Sequence, residues 1–352
     1  MLWLLSLMHL LVDGVCAVVM RGQIYPLFPE QSALLILVYN LLAFSTQGLT
    51  GLLADRLRRR ELTVLSVALI LAGLTLPAQT LGLALVKTAL AGLGNSLFHV
   101  SGGAQVIISS PQKAWPLGIF VAPGALGLAL GIVFPQLGFA FALLLCAACI
   151  ALLLVRFDWE PEPVPRPDCG DAVKRGLLCA ALLFCVFSRA FGGSVVSLPW
   201  KQGIPAAIIT ALCVVAGKLL GGALCDKFGA IALGAVSIPL AALALLFFSQ
   251  WMIPSLAGQL LLNLSMPVTL WLLCRLLPNA PGFAFGLAAS CLFPGTLFAD
   301  MAPASGAVRV AIITAIFALN TLLVMLPAAY LRRSPPQHGE QEIIQTKQEV
   351  LS

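Results

Sequence analysis

Long apolar runs recur along the whole chain, each bounded by charges or by Pro/Gly turns, and their length fits the roughly 20 residues an α-helix needs to cross a hydrocarbon core. Six fall near Leu2 to Met20, Ser32 to Ala54, Leu62 to Leu76, Gly82 to Ile108, Leu117 to Phe134 and Leu137 to Val155. Six more fall near Gly176 to Pro199, Ala206 to Cys225, Ala230 to Phe248, Pro254 to Leu277, Gly282 to Ala299 and Val310 to Leu331. Between the sets lies a proline-rich stretch with both signs of charge, and a polar tail follows the last run. The pattern predicts an all-α polytopic membrane protein with about 12 transmembrane helices in two pseudo-symmetric six-helix bundles. The bundles span 1–155 and 176–331, with a linker at 156–175 and a tail at 332–352.

Composition agrees with lipid as the solvent. Of 352 residues, 60% are hydrophobic and only 10% are charged, too few to cover a water-soluble globule of this size. Short loops leave no space for a soluble domain, so any function is expected inside the membrane or at its faces. The net charge of +6 does not point to nucleic acid, because the basic residues flank helix ends. Arg56, Arg58, Arg59, Arg60, Lys113, Arg156, Arg166, Lys174, Arg175, Lys227, Arg275, Arg332, Arg333 and Lys347 fall on one side, against Arg21, Lys201 and Arg309 on the other. That bias puts both termini in the cytoplasm, with a bacterial inner membrane the expected location. The first run has no basic leader or small-residue cleavage site and reads as a retained helix. The cysteines sit mostly in apolar runs without metal-ligand spacing and read as small buried residues.

After the second run the chain reads Gly51-Leu-Leu-Ala-Asp55-Arg56-Leu-Arg58, and after the eighth Gly222-Ala-Leu-Cys-Asp226-Lys227-Phe-Gly229. Each copy sets a glycine, which admits a close neighbour, four residues before an acid–base pair at a helix end. Such duplications are common in transporters. The two copies resemble the signature loop of the major facilitator superfamily, in both places where that family carries it. The first copy has Arg58 where the family usually has glycine, and the second lacks the basic run. The resemblance implies two bundles that rock about a central site, with the loop as a cytoplasmic latch. The bland alternative is that Asp55 and Arg56 only cap and orient a short loop. The fifth run, with Gly118, Pro123, Gly124, Gly127 and Gly131, and the fourth, Gly92-Leu-Gly-Asn95-Ser-Leu-Phe-His99, together look like the fosmidomycin-resistance-like exporter branch. Plain helix packing gives the same glycine pattern.

Ionisable groups at mid-membrane are costly and need a partner, water or a task. Asp13 lies one helical turn after His9 in the first run, and Arg189 lies near the middle of the seventh. The resemblance implies that both helices line the central cavity. Asp13 is then a candidate for proton coupling, or else a static ion pair that fixes packing. Arg189 is a candidate to grip an anionic substrate, since a guanidinium holds carboxylates with two bonds. His99 either joins a proton relay or bonds a neighbouring helix. Asn95 and Asn263 are uncharged cavity candidates, with Asn40, Ser265 and Asn320 of the same kind. Lys87 and Lys218 are expected to snorkel to water.

No Gly-x-x-x-x-Gly-Lys loop is present, so a gradient is expected to supply the energy. Only three histidines exist and His338 falls in the tail, too few for a histidine-rich metal centre; no metal or cofactor is expected. Gly192-Gly193-Ser194 lacks the glycine that a nucleophile elbow needs. The reading is therefore a secondary transporter acting as a monomer on protons and a small, acid-bearing molecule, with export implied by the resemblance. The alternatives are a sensor or scaffold of the same fold, or a membrane enzyme.

Overall fold

The computed structural model describes residues 1–57, 59–154, 172–301 and 306–333. Arg58, the linker residues 156–171 and the tail from 334 lie outside the described residues. Among the described residues, eleven helices are long and apolar enough to cross a bilayer. The shorter 17-residue helix Arg59–Thr75 packs with them as a twelfth. In chain order these are α1 (Leu2–Leu27), α2 (Ser32–Arg56), α3 (Arg59–Thr75), α4 (Leu81–Ser109), α5 (Trp115–Val133), α6 (Pro135–Leu154), α7 (Ala172–Val195), α8 (Gly203–Phe228), α9 (Ala230–Phe247), α10 (Met252–Leu276), α11 (Pro281–Ala299) and α12 (Ala307–Arg333). The chain is a multi-pass membrane protein.

The spans begin and end within a few residues of the apolar runs because charges and prolines stop them. The larger departures have local causes. The first span runs on past Met20 through wide π-helical turns at Val18–Ile24, which extend the helix into its polar flank. A second π stretch, Leu41–Ser45, widens the middle of α2. The eleventh span breaks at Cys291 into Pro281–Ser290 and Leu292–Asp300. Pro294 has no N–H to offer the carbonyl four residues earlier, so the ladder cannot continue there. Helix α7 starts at Ala172, inside the stretch read as linker.

Packing repeats when every helix is advanced by six. Helix α1 lies along α5 and α6, as α7 lies along α11 and α12; α4 packs on α3 and α2, as α10 packs on α9 and α8. The contacts between halves obey the same rule: α2 meets α11, and α8 meets α5. Helices α6, α9 and α12 sit at the periphery and leave Leu143, Leu154, Leu243, Phe247 and Leu322 exposed. These apolar side chains suit acyl chains, while the backbone groups are satisfied within the helices.

Candidate functional site

A cavity of about 310 Å³ lies between the halves. Helices α1, α2, α4 and α5 line one side of it, and α7, α8, α10 and α11 the other. Most of the lining is apolar. The ionisable exceptions are His9, Asp13, His99, Arg189 and Lys218.

On α1, His9 and Asp13 stand one turn apart; on α4, Asn95 and His99 do the same. Because the two helices pack together, the pairs interlock around the Asp13 carboxylate. Asn95 Nδ2 donates to Asp13 Oδ1 at 3.0 Å. His9 Nε2 lies 3.4 Å from Oδ2, and His99 Nε2 lies 3.7 Å from Oδ1. The far side of each imidazole is fixed by a carbonyl: His9 Nδ1 is 2.7 Å from Phe120 O, and His99 Nδ1 is 2.9 Å from Asn95 O. A carbonyl only accepts, so each Nδ1 carries the hydrogen. In the neutral rings both Nε2 lone pairs then face a carboxylate, and an added proton turns that opposition into a hydrogen-bonded ion pair. Gly124 of α5 clears the space, since a Cβ there would meet His9 Nε2 at 2.5 Å. The ligand atoms of His9, Asp13 and His99 lie within 4.8 Å of one another, so geometrically this trio is also where a metal ion could sit. Three histidines make no histidine-rich centre, yet two of them meet at one carboxylate.

Across the cavity Arg189 is buried, and its Nη1 donates to Thr269 Oγ1 at 3.3 Å. Lys218 Nζ donates to Val121 O of α5 at 3.2 Å. Among the described residues, no carboxylate lies within ion-pair distance of either cation.

Where α1 begins, call it the terminal face, the halves are closed by two equivalent contacts. The N-terminus of α11 has no side-chain cap of its own. Its Gly282 and Phe283 N–H groups donate to the two Asp55 oxygens, both at 2.8 Å. The N-terminus of α5 also lacks a local cap, and the N–H groups of Ala114 and Trp115 donate to Asp226 at 2.8 and 3.0 Å. In both, a carboxylate at the end of one half's helix satisfies the orphan donors and positive dipole end of the other's. Gly51 lets α2 approach the backbone of Gly282, and Gly222 does the same for α8 at Ala114 and Trp115.

No protein-family model and no curated protein matches the sequence. Among solved structures, the chain superposes on the fucose:proton symporter FucP of E. coli, in a variant form, over 94% of this chain and 97% of that one, at 13% identity and a TM-score of 0.64. A second FucP structure, described as a major facilitator superfamily transporter in the outward conformation, aligns over 93% and 99% of the chains at 13% identity and a TM-score of 0.69. The chain has the major facilitator fold.

Within that fold the expected residues divide. His9, Asp13, Asn95 and His99 form one cluster, and Arg189 lines the same cavity. Asp55 and Asp226 cap helices of the opposite half, so the purely local reading of that loop is replaced by a contact between halves; Arg56 and Lys227 are exposed beside them. Asn263 lies outside the cavity lining: its Nδ2 donates one turn back to Gln259 O, and its Cβ packs at Gly217 of α8. Neither lysine snorkels. Lys87 is 2% exposed and donates to Leu74 O and Leu76 O at the end of α3, carbonyls that helix has no further turn to satisfy. Lys218 turns into the cavity, and it is the site residue the sequence reading missed. A signal for it existed: it stands one turn before Gly222 on the face that meets α5.

Proposed function

We propose that the protein is a proton-coupled secondary transporter of the cell membrane that exports a small, acid-bearing molecule by alternating access, as a monomer with both termini in the cytoplasm. The observation that carries this reading is the Asp13 cluster. A carboxylate and two fixed imidazoles at the wall of a cavity between two rocking halves form a site where a proton can be held in one state and released in the other. The titratable groups around Asp13 are His9 and Cys16 on its own helix, His99 on α4, Tyr39 on α2 and Lys218 on α8, while α5 carries none. Two further features support the reading. Arg189 offers a fixed positive charge to an anionic group, and the caps at Asp55 and Asp226 hold the terminal face shut, which corresponds to an outward state if that face is cytoplasmic. That FucP is a fucose:proton symporter supports the proton as the coupling ion. The direction is argued from the likeness of α4 and α5 to the fosmidomycin-resistance-like exporters.

The test begins with a thermal-stability screen of small acids on the purified protein, because binding to the folded state alone raises its melting temperature. A compound so found is then loaded into vesicles under an imposed proton gradient. Asp13→Asn is expected to abolish gradient-driven transport while exchange of the compound across the membrane persists at concentrations that saturate the altered site. Unchanged driven transport in that variant refutes the proton role.

A further inference from the structure

The cavity is electrically two-sided. One wall presents the Asp13 carboxylate with His9 and His99; the other presents Arg189 from α7 and Lys218 from α8. The walls do not neutralise each other by contact, because neither cation is within ion-pair distance of a described carboxylate, although Lys218 stands within electrostatic reach of both Asp13 and Arg189. A guanidinium carries five N–H donors, and Arg189 spends one of them on Thr269. Charges kept apart in a low-dielectric chamber are expensive unless something that enters completes them. A purely anionic guest would satisfy the second wall and leave the first to the proton; a purely cationic guest would do the reverse. The stretch between the walls is apolar and includes Phe44 and Phe285. The volume, near the lower end of ligand pockets, has room for about ten waters' worth of guest.

Resting on the transporter reading above, we infer that the cargo is a small zwitterion with an apolar body, its carboxylate held by Arg189 and Lys218 and its ammonium held by Asp13 in place of the proton. Exchange follows from that competition. Cargo ammonium and proton cannot occupy the Asp13 carboxylate together, so proton arrival expels the cargo on one side of the membrane and cargo arrival expels the proton on the other. Each cycle then moves one net positive charge in the direction of the proton, since the zwitterion carries none.

Three probes that share one ring and differ only in charge test this: phenylalanine, 3-phenylpropanoate and phenethylamine, titrated calorimetrically into the purified full-length protein. Phenylalanine is expected to bind about ten- to hundred-fold more tightly than either analogue, the ratio for losing one charge-assisted hydrogen bond. In Asp13→Asn the preference over 3-phenylpropanoate is expected to vanish; in Arg189→Gln the preference over phenethylamine is. The comparison of probes on the unaltered protein needs no variant to fold. Equal binding of phenylalanine and either analogue, or binding of none of the three, overturns the two-headed assignment. Vesicle flux separates this from the transporter reading. Proton-driven flux of 3-phenylpropanoate without preference for phenylalanine leaves the transporter standing and removes the zwitterion. Tight, selective phenylalanine binding with no flux keeps the site and removes the transporter.

Discussion

Where α2 crosses α11, Asp55 caps Gly282 and Phe283; where α8 crosses α5, Asp226 caps Ala114 and Trp115. The residues are 171 positions apart in the chain and do the same work. Two turns deeper the two crossings part company. Gln47, the counterpart of Lys218 at that spacing, is fully buried and donates its Nε2 hydrogen to Ala43 O within its own helix. The α2–α11 crossing is joined there through Ser290, whose Oγ accepts from Gly48 N–H at 3.1 Å and donates its one hydrogen back to Gly286 O of its own helix at 2.8 Å, with Phe44 O of α2 at 3.2 Å as a second acceptor in reach. Lys218 instead spans to Val121 O and puts a charge into the cavity. The two copies thus share the contacts that close the face and differ at the level that lines the cavity. Under the proposed function that division has a reason: closure can be symmetric, whereas recognition of an asymmetric molecule cannot.

The largest effect should come from cutting both caps. A hydrogen bond to a charged group is worth about 1.5–3 kcal/mol, so Asp55→Ala with Asp226→Ala is expected to shift the balance toward an open terminal face by more than a hundredfold. Spin-label distances between the terminal ends of α2 and α11 read the shift directly. The single variants sharpen the comparison. Asp55 is more enclosed and also has Arg59 Nη2 3.6 Å away, whereas Asp226 is exposed to competing water, so Asp55→Ala should open the face more. Equal shifts in the two singles would show that burial of the cap does not matter.

A step smaller is the loss of close approach. A Cβ on Gly282 would stand 2.6 Å from Gly51 O and 3.0 Å from Asp55 Oδ1, and one on Gly222 would stand 2.7 Å from both Ala114 O and Trp115 Cα. These neighbours are mostly backbone and cannot swing aside, so Gly282→Ala and Gly222→Ala should each weaken closure by about 1–3 kcal/mol, the usual cost of overpacking. Intact closure in either, by the same label distances, would mean that the crossing has slack the packing does not reveal.

How much of this was legible in the chain follows from what kind of information each part needs. Span positions were legible because they depend on local hydropathy and on the charges and turns that bound each run; the break of α11 at Cys291 was not read, although Pro294 marks it. The Asp55 and Asp226 copies were legible because a duplication leaves the same spacing twice. Their partners were not: the capped N–H groups of Gly282 and Ala114 lie far away in the chain and carry no side-chain mark of the bond. His9 with Asp13, and Asn95 with His99, each declare a shared face by spacing, but only the crossing of α1 with α4 makes them one cluster. Lys87 and Lys218 were misread for a common reason. Hydropathy gives depth in the membrane and not the direction a side chain takes round its helix, and both lysines reach carbonyls of a neighbouring helix that no local pattern announces. Asn263 looked like a cavity residue by the same logic of depth and faces a helix contact instead.

The smallest effect tests whether the divergence at the deeper level belongs to closure or to the cargo. Lys218→Gln makes the α8–α5 crossing resemble the α2–α11 crossing at Gln47, and removes one hydrogen bond from a charged donor to Val121 O, worth about 1.5 kcal/mol at the low end for such bonds. If Lys218 is chiefly a strut between halves, the label distances should shift toward the open state by roughly tenfold and binding of acids should fall in step. If it chiefly serves the cavity, closure should hold, because both acid caps and both glycine contacts remain, while affinity for a carboxylate-bearing compound drops about tenfold and that for an amine does not. The second result is the one expected here. Gln47 lines the same cavity from the equivalent position, and it shows that this level of a crossing can be held together without a charge, so a strut alone does not call for a lysine.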